Sequence, residues 1–326
     1  RGKTLLIIFL VIIALAAAAL FLAGRYLFRY ALDTYSESFI KSGPKEDANS
    51  SEEKSSFSGP EGSEEIRRWF KETACDVYIE SEDGLKLHGY EIKNEEGNGR
   101  YVIACHGYTS RAEDMAQHAK HFYDMGYSLL LPDARAHGSS QGRIIGMGFL
   151  ERKDMLGWID MIIDSDPEVK IALYGISMGG ATVMMTAGEE LPHNVCAAIE
   201  DCGYTSVWDE FEEQLKRKFR LPSFPLLNIA SYICDKQGGY DFKEASAQNQ
   251  VAGCDIPMMF IHGDADDFVP FEMLDKVYES ASCEKQKLVI EGAGHAMSSS
   301  VAPELYWSEV EKFLDRHMNI MLLKYT

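Results

Sequence analysis

No C-x-x-C pair occurs in this chain. Its seven cysteines, Cys75, Cys105, Cys196, Cys202, Cys234, Cys254 and Cys283, are odd in number and scattered. That pattern argues against a disulfide framework and against a zinc knuckle. Several of them sit in apolar runs, where cysteine packs as a small hydrophobe, as suits a reducing compartment. Positive charge is also scarce: 32 Lys and Arg stand against 51 Asp and Glu, a formal net charge of -19. Such a surface repels phosphate backbones, and no basic stripe stands out against it, so nucleic acid is not an expected partner. Internal repeats are lacking. The aspartates at 264, 266 and 267 lack the twelve-residue spacing and closing Glu of a calcium loop. No metal or cofactor is expected.

A long apolar run occurs near the start. Thr4 to Gly24 reads TLLIIFLVIIALAAAALFLAG without a charge. About 20 apolar residues match the ~30 Å hydrocarbon core at 1.5 Å rise per residue. The rival reading, a cleaved signal peptide, has an apolar region of only about 7–15 residues. Residues 1–30 are therefore expected to be a single-pass transmembrane anchor. Arg1 and Lys3 precede the span and Arg25 and Arg29 follow it, so charge balance does not choose a side. Ser42 to Glu65 is rich in Ser, Glu, Gly and Pro and cannot bury enough surface to offset its ordering entropy. Residues 31–65 are expected to form a flexible acidic tether, and 66–326 the folded domain.

From Ile66 onward, short apolar runs alternate with helix-period segments. Asp76 to Glu91 reads as a hairpin around Glu82-Asp83-Gly84. Buried-looking strands are expected at Tyr101–Cys105, Ser128–Pro132, Ile171–Tyr174, Val195–Glu200, Pro257–Ile261 and Lys287–Ile290. Helices are expected at Arg111–Asp124, Phe149–Ile163, Gly179–Glu190, Phe271–Ala281 and Ala302–His317. This order implies an α/β fold with a mostly parallel sheet and helices on both faces. In such sheets ligands bind beyond the carboxyl ends of the strands. Residues 204–253 interrupt the rhythm and read as an inserted small helical cap.

Chemistry concentrates just after the apolar runs. Gly175-Ile176-Ser177-Met178-Gly179 is G-x-S-x-G, between a strand and a helix. A serine at such a sharp turn is strained and exposed, and the helix start offers unpaired N–H groups to an oxyanion. Its hydroxyl needs a base. His295, in a Gly-rich loop after the Lys287–Ile290 strand, fits; His106 stands too early in the chain and reads as structural. The base needs an orienting acid, and Asp264, Asp266 and Asp267 all follow the Pro257–Ile261 strand. The N–H of Tyr108, beside Gly107, pairs with that of Met178 as an oxyanion hole.

These stretches resemble the α/β-hydrolase superfamily, over roughly Glu80 to Phe313. They are HGYTS at 106–110, DARAHGSSQG at 133–142, GISMGG at 175–180, IHGDADDFVP at 261–270 and GAGHA at 292–296. Within the superfamily the chain is similar to small-capped bacterial serine hydrolases of serine aminopeptidase-like and esterase-like kinds. The resemblance implies Ser177 as nucleophile, His295 as base, Asp266 rather than its neighbours as acid, and Tyr108 and Met178 as oxyanion donors. Ala136 departs from the pattern, where glycine is common. The expected activity is ester hydrolysis by an acyl-enzyme, on a small-molecule substrate with a short-to-medium acyl group. The alternatives are a serine aminopeptidase-like peptidase, for which Glu210, Glu212 and Glu213 are available to hold an amine, and a non-catalytic, membrane-tethered binding protein. Solvation at the surface is the expected role of those three glutamates.

Overall fold

The computed structural model describes residues 2–42, 63–96 and 99–318. Its strands are β1 (Cys75–Glu80), β2 (Lys86–Ile92), β3 (Arg100–Cys105), β4 (Ser128–Pro132), β5 (Lys170–Ile176), β6 (Val195–Asp201), β7 (Met258–Gly263) and β8 (Lys285–Ile290). They form one sheet in the order β1-β2-β4-β3-β5-β6-β7-β8. The hairpin β1–β2 and the pair β2–β4 are antiparallel; from β4 onward every pair is parallel. All eight strands fall within or beside the runs expected for them.

The helices are α1 (Gly2–Ala31), α2 (Glu37–Ser42), α3 (Ser63–Thr73), α4 (Ala116–Asp124), α5 (Glu151–Ser165), α6 (Met178–Ala187), α7 (Val207–Gln214), α8 (Leu226–Gly238), α9 (Ala247–Val251), α10 (Glu272–Ser280), α11 (Ser298–Val301) and α12 (Pro303–Met318). Alternation along the strands builds two cores. Tyr101, Ile103 and Cys105 of β3 join Ile171 and Leu173 of β5 on one face, against Met155, Trp158, Ile159 and Ile162 of α5. Val102, Ala104, Ala172 and Tyr174 face the other way, against Phe122 of α4 and Val310 and Phe313 of α12. Strands buried on both faces read as continuous apolar runs, which is why their positions were visible in the sequence.

The amino-terminal segment differs from expectation. Helix α1 leaves Leu5 to Leu22 bare, and it is the described helix long and apolar enough to cross a bilayer. Beyond the apolar stretch it does not lead into a free tether. Phe28 and Leu32 are buried in the first core. Asp33 is held by Arg143 at 2.8 Å, the Tyr108 hydroxyl donates to the Ala31 carbonyl at 2.6 Å, and Phe39 packs on the Tyr108 ring. Helix α1 crosses α8 so closely that a methyl on Gly24 would lie 2.5 Å from Ile229 Cγ2. The expected tether boundary at 31 is therefore corrected: residues 31–42 pack on the body, because the apolar face of α1 continues past the span. The folded part also begins slightly earlier than Ile66, at Ser63 of α3. The rest of the expected tether, 43–62, lies outside the described residues.

The departure at Ala136 acquires a cause here. Its φ is 63°, in the left-handed region that glycine enters freely and alanine does not. Ala136→Gly is expected to raise stability by about 0.5–1 kcal/mol, since relief of strain exceeds the added unfolded-chain entropy. Thermal or urea unfolding checks this; a loss of stability contradicts it.

Candidate active site

Strand β5 ends at Ile176 and α6 begins at Met178, leaving one residue for the turn. Ser177 occupies it with φ 57° and ψ -117°, a conformation L-residues avoid. Its N–H donates to the Asp201 carbonyl at 2.8 Å, and its own carbonyl accepts from the Ala181 N–H at 2.9 Å. A methyl on Gly175 would lie 2.1 Å from the Gly179 carbonyl oxygen, and one on Gly179 would lie 2.1 Å from that of Cys105. Neither obstacle is a side chain that can swing away. The two glycines are thus required by backbone crowding at the turn.

Three loops meet above this turn, at the carboxyl ends of β5, β7 and β8. His295 Nε2 lies 2.8 Å from Ser177 Oγ, and His295 Nδ1 lies 2.8 Å from Asp266 Oδ2. The structure therefore brings together the three residues expected from sequence. The remaining aspartates of the β7 loop do other things: Asp264 accepts from the Gly292 N–H at 2.6 Å, and Asp267 is exposed. Asp266 Oδ1 accepts from the N–H groups of Phe268 and Val269, both at 2.9 Å. Burial of Asp266 by itself would raise its pKa; hydrogen bonds from His262 and His295 overcome this and hold it well below the usual carboxylate range. As an ionised acceptor it fixes the proton of His295 on Nδ1, which leaves Nε2 to accept from the serine hydroxyl.

Gly107 sits against this turn, since a methyl there would lie 3.5 Å from Ser177 Cβ. That brings the backbone of Tyr108 beside Ser177, and both residues line one cavity. Met178 opens α6, where the first N–H groups lack intrahelical acceptors. His106 is structural, as read: its Nε2 accepts from the Ala134 N–H at 3.0 Å and its Nδ1 bonds the Gly107 carbonyl at 2.8 Å. Burial lowers its pKa, so it stays neutral.

Several neighbours of Ser177, His295 and Asp266 went unnoticed in the sequence. His262, four residues before Asp266 in the quoted IHGDADDFVP stretch, has its Nε2 3.1 Å from Asp266 Oδ2, the oxygen that also faces His295. Beyond it, Glu200 is fully buried, and desolvation pushes its pKa up to about 8. Phe268 packs on the His295 ring at 4.8 Å. Cys202 lies near Asp266 and His295 in a grouping that resembles a ligand set. The donors do not suit a metal: both Asp266 oxygens already accept hydrogen bonds, and burial holds the Cys202 thiol protonated.

A cavity of about 340 Å³ opens over Ser177 and His295. Cap residues Tyr204, Phe211, Leu215 and Phe242 form much of its wall, and Leu27, Phe28 and Ala31 of α1 form another part. Glu210 also lines it, and this corrects the expectation of surface solvation for that residue. Glu210 is buried; its Oε1 accepts from Gln214 at 2.9 Å and its Oε2 has no partner. Desolvation pushes its pKa up to about 8.

The comparisons agree with this architecture. A family model described as "Serine aminopeptidase, S33" matches residues 98–231, which include Ser177 but end before Asp266 and His295. An esterase of Pyrococcus furiosus, Pf2001, superposes with a TM-score of 0.62 at 26% identity, covering 76% of this chain and 93% of that one. The chain belongs to the α/β-hydrolase superfamily. Another α/β-hydrolase-fold neighbour, Est1E from Butyrivibrio proteoclasticus with ferulic acid bound, has a TM-score of 0.59 at 22% identity over 74% of this chain and 99% of that one. Among sequence relatives, the uncharacterized protein YqkD of Bacillus subtilis is 29% identical over 73% of this chain and 78% of its own length. The uncharacterized membrane protein YNL320W of Saccharomyces cerevisiae is 24% identical over 72% and 77%. Family model and esterase neighbours support hydrolase activity for this α/β-hydrolase.

Because backbone atoms block any methyl at Gly179, Gly179→Ala is expected to lower stability by about 1–3 kcal/mol and to displace Ser177 from His295. Chemical unfolding, together with the rate of fluorophosphonate labelling, measures both effects. Wild-type stability and labelling would contradict the crowding argument.

Proposed function

We propose that this chain is a membrane-anchored serine hydrolase that cleaves carboxylic esters through an acyl-enzyme. The observation that carries the reading is the continuous pair of 2.8 Å hydrogen bonds from Ser177 through His295 to Asp266, on the wall of an apolar cavity. In this reading Ser177 Oγ attacks the carbonyl carbon while His295 Nε2 takes its proton. Asp266 holds the imidazole tautomer and stabilises the imidazolium. The N–H groups of Tyr108 and Met178 donate hydrogen bonds to the developing oxyanion; one such donor contributes about 2.7–4 kcal/mol. His295 then returns its proton to the leaving alcohol and activates the water that releases the acid.

The anchor is part of the same proposal. It is supported by the length of the apolar run and by the unbroken passage of α1 into the body, which leaves its last turns structural. Ester preference is supported by the cavity wall. At pH 7 Glu210, with its pKa at about 8, is uncharged, and a neutral carboxyl at that point of the wall suits a neutral acyl group.

Glu210 also gives the peptidase reading a specific footing. A substrate ammonium entering the cavity would draw that carboxyl into its ionised form, as an aminopeptidase requires. Hydrolysis of p-nitrophenyl butyrate and of aminoacyl p-nitroanilides separates the two readings. The ester reading expects cleavage of the first and not the second; the reverse result overturns it. Ser177→Ala is expected to abolish fluorophosphonate labelling and to lower ester hydrolysis by about six orders of magnitude. Labelling that survives in this variant, or is lacking in the wild type, favours a non-catalytic binding protein.

The pH profile carries a second prediction. Glu210 is neutral below its raised pKa and ionises as pH climbs through about 8, placing a charge in an apolar cavity. The kcat/KM for a neutral ester is therefore expected to fall on the alkaline side of about pH 8. Glu210→Gln removes that limb and leaves the acid side in place. An unchanged alkaline limb in the variant rules out Glu210 as its source.

A further inference from the structure

Gly24, Leu27, Phe28 and Ala31 recur at helical three-four spacing, so they share one face of α1. Gly24 meets α8, and the other three line the cavity over Ser177. At 1.5 Å rise per residue, the first cavity-lining residue stands only about 7.5 Å beyond Leu22, the last bare leucine of the apolar stretch. The turns from Gly24 to Ala31 carry Arg25, Tyr26, Arg29 and Tyr30, the residue types that settle at a membrane–water boundary. The same helix thus runs from its bare apolar stretch, through these residues, to the cavity wall without a break.

The cap adds a second observation beside this boundary. Residues 215–224 read LKRKFRLPSF, with Lys216, Arg217, Lys218 and Arg220 all exposed. Leu221 is exposed as well, and Phe224 is 75% exposed. Glu213 pairs with Arg217 at 2.5 Å and more loosely with Lys216, which leaves the loop positive in a chain that is otherwise strongly acidic. The loop is tied to the boundary turns of α1: Phe219 packs edge-on against Tyr30 at 5.6 Å, and Lys218 lies over the same ring at 5.2 Å. Bare Leu and Phe among cations fit an anionic bilayer surface.

We propose that the cavity is loaded from the membrane. Its substrate is a single-chain lipid acyl ester whose chain lies against Leu27, Phe28 and Ala31, while the cap loop sits among anionic headgroups. The inference rests on the ester-hydrolase reading and deepens it by naming the substrate class. Each methylene of a lipid chain exposed to water costs about fourfold in partition. A cavity whose wall is the anchor itself lets the chain leave the bilayer without that exposure. One chain suits the volume of about 340 Å³, which is at the small end of ligand sites of about 300–1,000 Å³.

The test uses the full chain in phosphatidylcholine vesicles, with and without phosphatidylglycerol. Two esters are compared, 1-monopalmitoylglycerol in the vesicle and p-nitrophenyl butyrate in the water. Ala31→Trp fills the cavity from the α1 side and is expected to lower kcat/KM for the palmitoyl ester about tenfold relative to the butyryl ester. Leu221→Glu with Phe224→Glu is expected to lower the ratio of vesicle to aqueous rates about tenfold, and phosphatidylglycerol is expected to raise that ratio in the wild type. Equal losses on both esters in Ala31→Trp, or a wild type indifferent to chain length, overturn the proposal. A ratio insensitive to vesicle charge and to the Leu221/Phe224 change overturns the bilayer contact and points to a protein partner for the loop.

A binding arm separates the two readings. Ser177→Ala protein is titrated with a fluorescent ether analogue of the monoacylglycerol, which cannot be hydrolysed. Binding that Ala31→Trp weakens supports the acyl site even if the wild type hydrolyses nothing, in which case the hydrolase reading alone fails. Butyrate hydrolysis without any binding of the ether lipid sinks the acyl site and spares the hydrolase.

Discussion

The carbonyl oxygens of Cys105 and Gly179 stand where side chains on Gly179 and Gly175 would have to go. This crowding at one turn is the constraint on which the site depends. It packs the start of α6 directly against β3 and β5, so the chain has a single residue in which to reverse. That residue, Ser177, takes a positive φ and projects its hydroxyl out of the sheet rather than into either core. A non-glycine residue held at positive φ costs about 1–3 kcal/mol, and it persists because the surrounding backbone over-determines it. The carbonyl of Asp201 and the N–H of Ala181 are the groups that hold it. The adjacent ends of β7 and β8 then bring Asp266 and His295 to it. Parallel pairing across β5, β6, β7 and β8 sets the three loops at the same end of the sheet.

Charge is distributed unevenly beneath that turn. Asp266 stays ionised in a buried position because four donors converge on it: two backbone N–H groups, His262 and His295. Glu200, one strand away, has a single backbone donor, Gly203, and one oxygen without a partner. Desolvation therefore prevails and keeps it protonated at neutral pH. The contrast shows that burial alone does not decide the state of a carboxyl. The number of donors facing its oxygens does, and here it separates an anion that can orient an imidazole from a neutral acid that cannot.

Much of this was legible in the amino-acid order, for a local reason. Strands buried on both faces must be apolar throughout, so β3 to β7 announced themselves, and Gly-Ile-Ser-Met-Gly carries its backbone requirement in its own residues. His295 and the three aspartates of the β7 loop were readable because each lies just after a strand, and the family resemblance singled out Asp266 among the three. What stayed hidden depends on contacts distant in sequence. Glu210 stands among charged neighbours and reads as a solvated helix face until α7 folds over the cavity. Leu27 and Phe28 read as the tail of a membrane anchor and Ala31 as the start of a tether, because hydropathy does not distinguish a residue facing lipid from one facing a cavity. Gly24 held a clue: a glycine inside a long apolar helix weakens it unless another backbone passes close by, and α8 does.

If α1 anchors the chain in a bilayer, as proposed, packing its exit onto the cap changes what that anchor does. A free tether would keep the body near the membrane but leave its orientation open, and a lipid chain would have to cross water to reach Ser177. At about 0.8 kcal/mol per methylene, that crossing for a long chain rivals the barrier reductions expected of the active-site groups themselves. With Phe28 and Leu32 in the core and Asp33 clamped by Arg143, the body cannot turn freely about the end of the helix. Orientation, cavity wall and proposed anchor are then one piece of structure. A change that loosens α1 from α8 at Gly24 acts at once on the shape of the cavity and on where it faces, although Gly24 lines no part of it.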